Sequence, residues 1–147
     1  MNYCYEYPRP AVTADIVVIK TTDNRHEVLL IERKHPPFEG MWALPGGFLN
    51  MDETLEEAAQ RELQEETGIT GVELEQLHTF SKVDRDPRHR TITTVFIGYA
   101  DVNTASPEAG DDAANVKWFE INNLPPLAFD HAEVMKMVKM KIEVTSL

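Results

Sequence analysis

Cysteine, positive charge and long apolar runs are what this sequence has least of. The one cysteine, Cys4, has no partner for an internal disulfide, which points to a reducing compartment and a cytoplasmic protein. No histidine or second cysteine stands at zinc-ligand spacing around it, so Cys4 reads as a bystander. Lys and Arg number 14 against 25 Asp and Glu, a formal net charge of −11. A nucleic acid is a poor partner for such a surface. A small anionic ligand is not excluded, because a divalent cation reverses the sign of a local site. The longest purely aliphatic stretch, Ile16-Val17-Val18-Ile19, is far too short to span a bilayer. Met1 to Pro10 carries Tyr3, Tyr5, Tyr7, Pro8 and Pro10 without an apolar core, unlike a secretory leader.

What is present is an ordinary globular composition, 42% hydrophobic and 27% charged over 147 residues, with no repeat, low-complexity tract or linker. A single domain over residues 1–147 is expected. Ala11–Lys20 and His26–Arg33 read as strands with turn residues between them. Met41–Leu49 reads as an extended segment bent at Pro45-Gly46-Gly47. A helix is expected from about Thr54 to Thr67, since Thr54 and Glu57 make a capping box and Gly68 a stop. Val72–Val83, Thr91–Val102 and Val116–Ile121 read as further strands, and Asp130–Lys141 as a second helix. Tyr3, Tyr5 and Tyr7 alternate as on a strand, at an edge or a subunit contact. Two helices unevenly spaced among strands do not give a doubly wound sheet; an α/β sandwich with a mixed sheet fits better.

The first helix carries carboxylates where a core stripe should be. At about 100° per residue, Leu55, Ala58, Ala59 and Leu63 share one face, and Glu62 and Glu66 fall within about 20° of Leu55. Glu65 lands at the edge of the stripe. Two carboxylates one turn apart and aimed inward repel each other and lose hydration. Either one is protonated, or cations hold them, or the helix end projects beyond the core. Hard ions such as Mg²⁺ or Mn²⁺ take oxygen ligands, and glutamates at i, i+3 and i+4 can converge on one volume.

At these residues the sequence resembles the Nudix hydrolases. Their box is glycine, five residues, Glu, seven residues, Arg-Glu, an aliphatic, one residue, Glu-Glu, one residue, glycine, an aliphatic. Here it reads Gly47, Glu53, Arg61-Glu62, Leu63, Glu65-Glu66, Gly68, Ile69 without a departure. Seven fixed positions at roughly 5–7% background each make a chance match rarer than about one in 10⁸. The resemblance implies an α/β/α sandwich with a mixed sheet and metal-dependent hydrolysis of a diphosphate linkage in a nucleoside diphosphate derivative. It implies Glu62, Glu65, Glu66 and the Gly46 carbonyl as ligands of Mg²⁺ or Mn²⁺. It also implies an Arg61–Glu53 ion pair that orients the helix, although Arg61 can equally pair with Glu57 or Glu65. It leaves room for a homodimer.

A weaker resemblance narrows the substrate. Arg33-Lys34-His35-Pro36-Pro37-Phe38, Trp42 to Phe48, Arg85 to Arg90 and Ala128-Phe129-Asp130-His131 look like the ADP-ribose pyrophosphatase branch, whose members release AMP and ribose 5-phosphate. Arg85, Arg88 and Arg90 form a basic cluster in an acidic chain, either a grip on phosphate or ribose oxygens or a solvated turn. Phe38, Trp42 and Tyr99 can stack a base or fill a core; His131 reads as structural. The loop Ser106–Ala114 offers Glu108, Asp111 and Asp112 as a further ligand or general base, with Glu120 a weaker candidate. Two alternatives stand beside ADP-ribose hydrolysis: a pyrophosphohydrolase for nucleoside triphosphates, oxidised ones included, and a non-catalytic ADP-ribose-binding regulator. The regulator is expected to have a broken box and an attached DNA-binding domain.

Overall fold

A computed structural model describes residues 2–145. Its strands are β1 (Ala11–Thr22), β2 (Arg25–Arg33), β3 (Trp42–Ala43), β4 (Gly46–Phe48), β5 (Glu75–Phe80), β6 (Thr91–Tyr99) and β7 (Ala113–Glu120), and its helices α1 (Leu55–Thr67) and α2 (His131–Thr145). The strands form one 7-stranded sheet, ordered β3-β2-β1-β6-β5, with β4 also on β1 and β7 also on β2. β1 runs parallel to β6, from Ala11 opposite Thr91 to Ile19 opposite Tyr99. The other pairings are antiparallel, so the sheet is mixed.

The aliphatic run in β1 follows from burial on both faces. Ala14, Ile16 and Val18 pack with Leu29, Phe96 and the α1 residues Ala58, Ala59 and Leu63. Val17 and Ile19 point the other way, onto Val28, Leu30, Ile97 and the α2 residues Val134, Met135 and Val138. One helix therefore covers each face, an α/β/α sandwich.

Several boundaries move. The strand expected over Val72–Val83 shrinks to Glu75–Phe80. Gly68 and Gly71 take positive φ, and Val72 is drawn under α1, where its carbonyl accepts from Gln60 Nε2 at 2.9 Å. β6 stops at Tyr99 because Asp101 Oδ1 accepts from the Asn103 amide and closes a turn. β7 starts at Ala113, earlier than expected, because it pairs along β2 as far as Arg33. The alternating tyrosines are not on a strand: Tyr3 and Tyr5 lie outside regular structure, exposed, their rings stacked 6.4 Å apart. Among the described residues no helix is long and apolar enough to cross a membrane.

Candidate active site

The site begins with the cap of α1. The Thr54 hydroxyl accepts from the Glu57 amide and the Glu57 carboxylate from the Thr54 amide, while Gly68 ends the helix in the left-handed region. This fixes the helix so that Ala58, Ala59 and Leu63 face the sheet and Glu62 goes down with them, 9% exposed. Arg61 then gathers its neighbours. Its Nε and Nη2 donate to Glu53 at 2.9 and 2.6 Å, and its Nη1 to Glu62 at 2.8 Å and Glu65 at 3.1 Å. Nη2 also donates to the Phe48 carbonyl of β4 at 3.0 Å. Glu57 is committed to the cap and takes no part. The hydrogen bonds from Arg61 hold the Glu53 carboxyl below its ordinary range, and Glu53 in turn raises the Arg61 guanidinium.

β4 brings two glycines against these carboxylates. A Cβ on Gly47 would strike the Glu62 carboxylate, and one on Gly46 would strike Asp15 and the Ala14 carbonyl. The Gly46 amide donates to Glu66 Oε2 at 3.1 Å. Burial pushes the Glu66 carboxyl up to about 8, against the Gly46 bond, with Glu62, Asp15 and Asp112 adding repulsion. Burial also raises Glu62, opposed by its bond to Arg61.

The three helix glutamates do not converge as the helix projection suggested. Glu65 is drawn outward by Arg61, its side chain 58% exposed. Among the described residues no three His, Cys, Asp or Glu side chains stand together as a formed metal cage. What stands at the cleft is a pair, Glu62 and Glu66, with Asp112 on the facing loop. That loop is docked on the end of α1: the Glu108 amide donates to the Thr67 carbonyl and the Gly110 amide to the Glu66 carbonyl. A Cβ on Gly110 would strike the Glu65 carbonyl, so only glycine lets the loop lie so close. Two dehydrated carboxylates with raised proton affinity, set on a glycine floor, are a donor set that fits a hard divalent cation.

The same cleft, about 450 Å³, is also lined by Arg33, Lys34, Arg85 and Arg88. Arg85 is 7% exposed and clamps Asp130 through two bonds of 2.9 and 2.8 Å. Arg88 pairs with Asp86 at 2.8 Å and lies between two rings, 5.2 Å from Phe48 and 5.5 Å from Phe129. Arg90 departs from expectation: its guanidinium donates to the Ser81 and Lys82 carbonyls and lines a neighbouring cavity, not this cleft. Phe38 also misses the cleft wall and packs edge-on behind Phe129 at 4.9 Å. Phe129 and Phe48 are the aromatics that line the cleft. Trp42 packs against Phe119 and Tyr99 is exposed. Glu108, Asp111 and Glu120 do not line the cleft; Glu120 sits across from Glu27 at the end of β7.

Asp15 and His131 were missed as site residues. Both are buried on the cleft floor. Asp15 Oδ2 accepts from the Thr93 hydroxyl at 2.7 Å and faces His131 Nε2 at 3.7 Å. Burial raises the Asp15 carboxyl, but His131, Thr93 and Arg85 outweigh it and leave it below the ordinary range. The available signal was a lone acid at the head of an aliphatic strand, which burial makes costly unless it is partnered.

Comparison with known proteins places this geometry. The model of the NUDIX domain matches residues 10–138, and the chain belongs to that family. It is a Nudix hydrolase, a class that works with divalent metal ions. It is 48% identical over 130 residues to the ADP-ribose pyrophosphatase of Methanocaldococcus jannaschii, covering 88% of this chain and 73% of the relative. The NUDIX domain of Shewanella oneidensis NrtR, solved with ADP ribose, superposes with a TM-score of 0.86 at 30% identity, covering 96% of this chain and 94% of that one. An ADPR-responsive transcriptional repressor of Acinetobacter baylyi is 30% identical over 135 residues, 89% of this chain but 54% of the repressor.

Proposed function

We propose that this protein, as a single catalytic domain, hydrolyses the diphosphate linkage of ADP-ribose to AMP and ribose 5-phosphate. The observation that carries the reading is the charge lining of one cleft: the carboxylates of Glu62 and Glu66 share it with the cationic side chains of Arg33, Lys34, Arg85 and Arg88. A diphosphate presents oxygens to both, to guanidinium forks directly and to carboxylates through a cation. Glu62 and Glu66, with Asp112 and the Gly46 carbonyl, would hold Mg²⁺ or Mn²⁺, which when bound neutralises the diphosphate and activates water. Arg61 orients Glu62 and Glu65 and ties them through Glu53 to the chain before the helix. Arg88 grips the phosphates, with Arg85 braced on Asp130 adding positive charge at the cleft, and Phe129 and Phe48 supply a stacking surface. The similarity to an ADP-ribose pyrophosphatase supports this substrate. The net charge of −11 favours a small nucleotide over nucleic acid as partner, and the lone thiol Cys4 suits a cytoplasmic setting.

A regulator that binds ADP-ribose without cleaving it is the second reading, favoured by the likeness to an ADPR-responsive transcriptional repressor and to a NUDIX domain solved with ADP ribose. The full set of box glutamates speaks for turnover. Chromatography of products from a panel of ADP-ribose and nucleoside triphosphates, with Mg²⁺ and with Mn²⁺, separates the readings. The expected result is AMP with ADP-ribose as the best substrate. Faster cleavage of triphosphates, or ADP-ribose binding without products, would overturn it.

A further inference from the structure

His131 opens α2, on the opposite face of the sheet from the glutamate helix, yet its ring reaches the floor of the cleft. Its Nδ1 accepts from the Leu44 amide at 3.0 Å, which leaves the ring proton on Nε2, the atom facing Asp15. Leu44 belongs to the short segment that delivers Gly46. Three of its peptide groups are held from outside the segment: the Trp42 carbonyl takes the Ala128 amide, Leu44 N–H goes to His131, and the Pro45 carbonyl takes the Ile16 amide. Pro45 has no N–H to offer. The next donor is the Gly46 amide, which holds Glu66. Asp15, the other partner of His131, lies directly under Gly46, where a Cβ would strike it.

The approach to His131 is itself constrained. Phe129 has φ 54, a conformation that costs a residue with a Cβ, and it sits between Ala128, bonded to Trp42, and Asp130, clamped by Arg85. Strain of this kind persists only where the surroundings over-determine it.

We propose that His131 is a positioning residue for the metal-binding carboxylates: through Nδ1 it fixes the Leu44–Gly46 turn, and so sets the Gly46 amide that orients Glu66. The proposal rests on the reading of Glu66 as a metal ligand. Its conformational half is tested independently of that reading, by amide hydrogen exchange at Gly46 in the metal-free protein.

Three variants decide it. Leucine removes the acceptor; asparagine puts an oxygen near the place of Nδ1; glutamine reaches the place of Nε2 instead. His131→Leu is expected to speed Gly46 exchange, weaken Mn²⁺ binding by about 10-fold or more, and lower kcat with KM for ADP-ribose little changed. His131→Asn is expected to restore all three to near wild type, and His131→Gln to restore none. Should His131→Leu fail to fold, the ranking of asparagine over glutamine carries the test alone. Wild-type Gly46 exchange and Mn²⁺ affinity in folded His131→Leu, or asparagine no better than glutamine, overturns the proposal. A Glu66→Gln control that binds Mn²⁺ as wild type does would show instead that the ligand assignment failed, leaving the exchange result to stand on its own.

Discussion

Between about pH 4.5 and about 8 the unfolded chain has given up the Glu66 proton and the folded, metal-free chain has not. The folded state binds more protons across that window, so its stability falls as pH rises through it and levels off above. Glu66→Gln removes this dependence. The metal-free variant should melt higher than wild type at pH 8 and about equally at pH 4.5, read by thermal denaturation in chelator. With metal and saturating substrate the same variant should lose kcat by about 100-fold or more. Loading wild type with Mn²⁺ at pH 7 should release about one proton, measurable by calorimetry in buffers of different ionisation enthalpy. Elsewhere in the cleft, Arg88→Ala should raise KM for ADP-ribose about 10-fold with kcat little changed, and lysine should rescue poorly because it lacks the planar fork. A wild-type KM would return Arg88 to a loop-bracing role with Asp86. The inward aim of Glu62 and Glu66 was legible in the helix projection; the outward turn of Glu65 was not, because Arg61 has donors enough to bridge several carboxylates at once. Arg90 could not be told from Arg88 in sequence, since what separates them is a pair of carbonyls, Ser81 and Lys82, that only the folded loop presents.

β4 is only three residues long, Gly46–Phe48, yet its two glycines are not equivalent. A methyl at Gly46 meets the Ala14 carbonyl and the Asp15 backbone, which cannot move away; at Gly47 its nearest neighbours are the carboxylate atoms of Glu62, the end of a side chain that can swing aside. Gly46→Ala is therefore expected to destabilise the fold by about 1–3 kcal/mol. Gly47→Ala should leave unfolding nearly unchanged while weakening Mn²⁺ binding by displacing Glu62. Equal loss of stability in both, by denaturant unfolding, would show that β4 is packed more rigidly than these contacts imply. At this scale the sequence was readable where local chemistry decides, as in the capping box and the Gly68 stop of α1. It was misread where tertiary pull decides: Val72 has strand-like composition but is taken under α1, and β7 is lengthened by its pairing with β2.

For the whole molecule, the mixed sheet was foreseeable from the uneven helix spacing, and the two helical layers were implied by the resemblance to the Nudix hydrolases. The pairing of β1 with β6 was not foreseeable, because nothing local records it. That pairing has a temporal consequence. β1 is made first, but its parallel neighbour, and the Thr93 hydroxyl that holds Asp15, come from a strand made much later. The centre of the sheet therefore cannot close as the chain emerges. A truncated chain ending before Thr91 should remain readily cleaved by protease, its aliphatic β1 in need of shielding. Refolding of the full chain from denaturant should take milliseconds to seconds, the range of folds built on long-range pairing, with hydrogen-exchange protection appearing in β1 and β6 together rather than in β1 first.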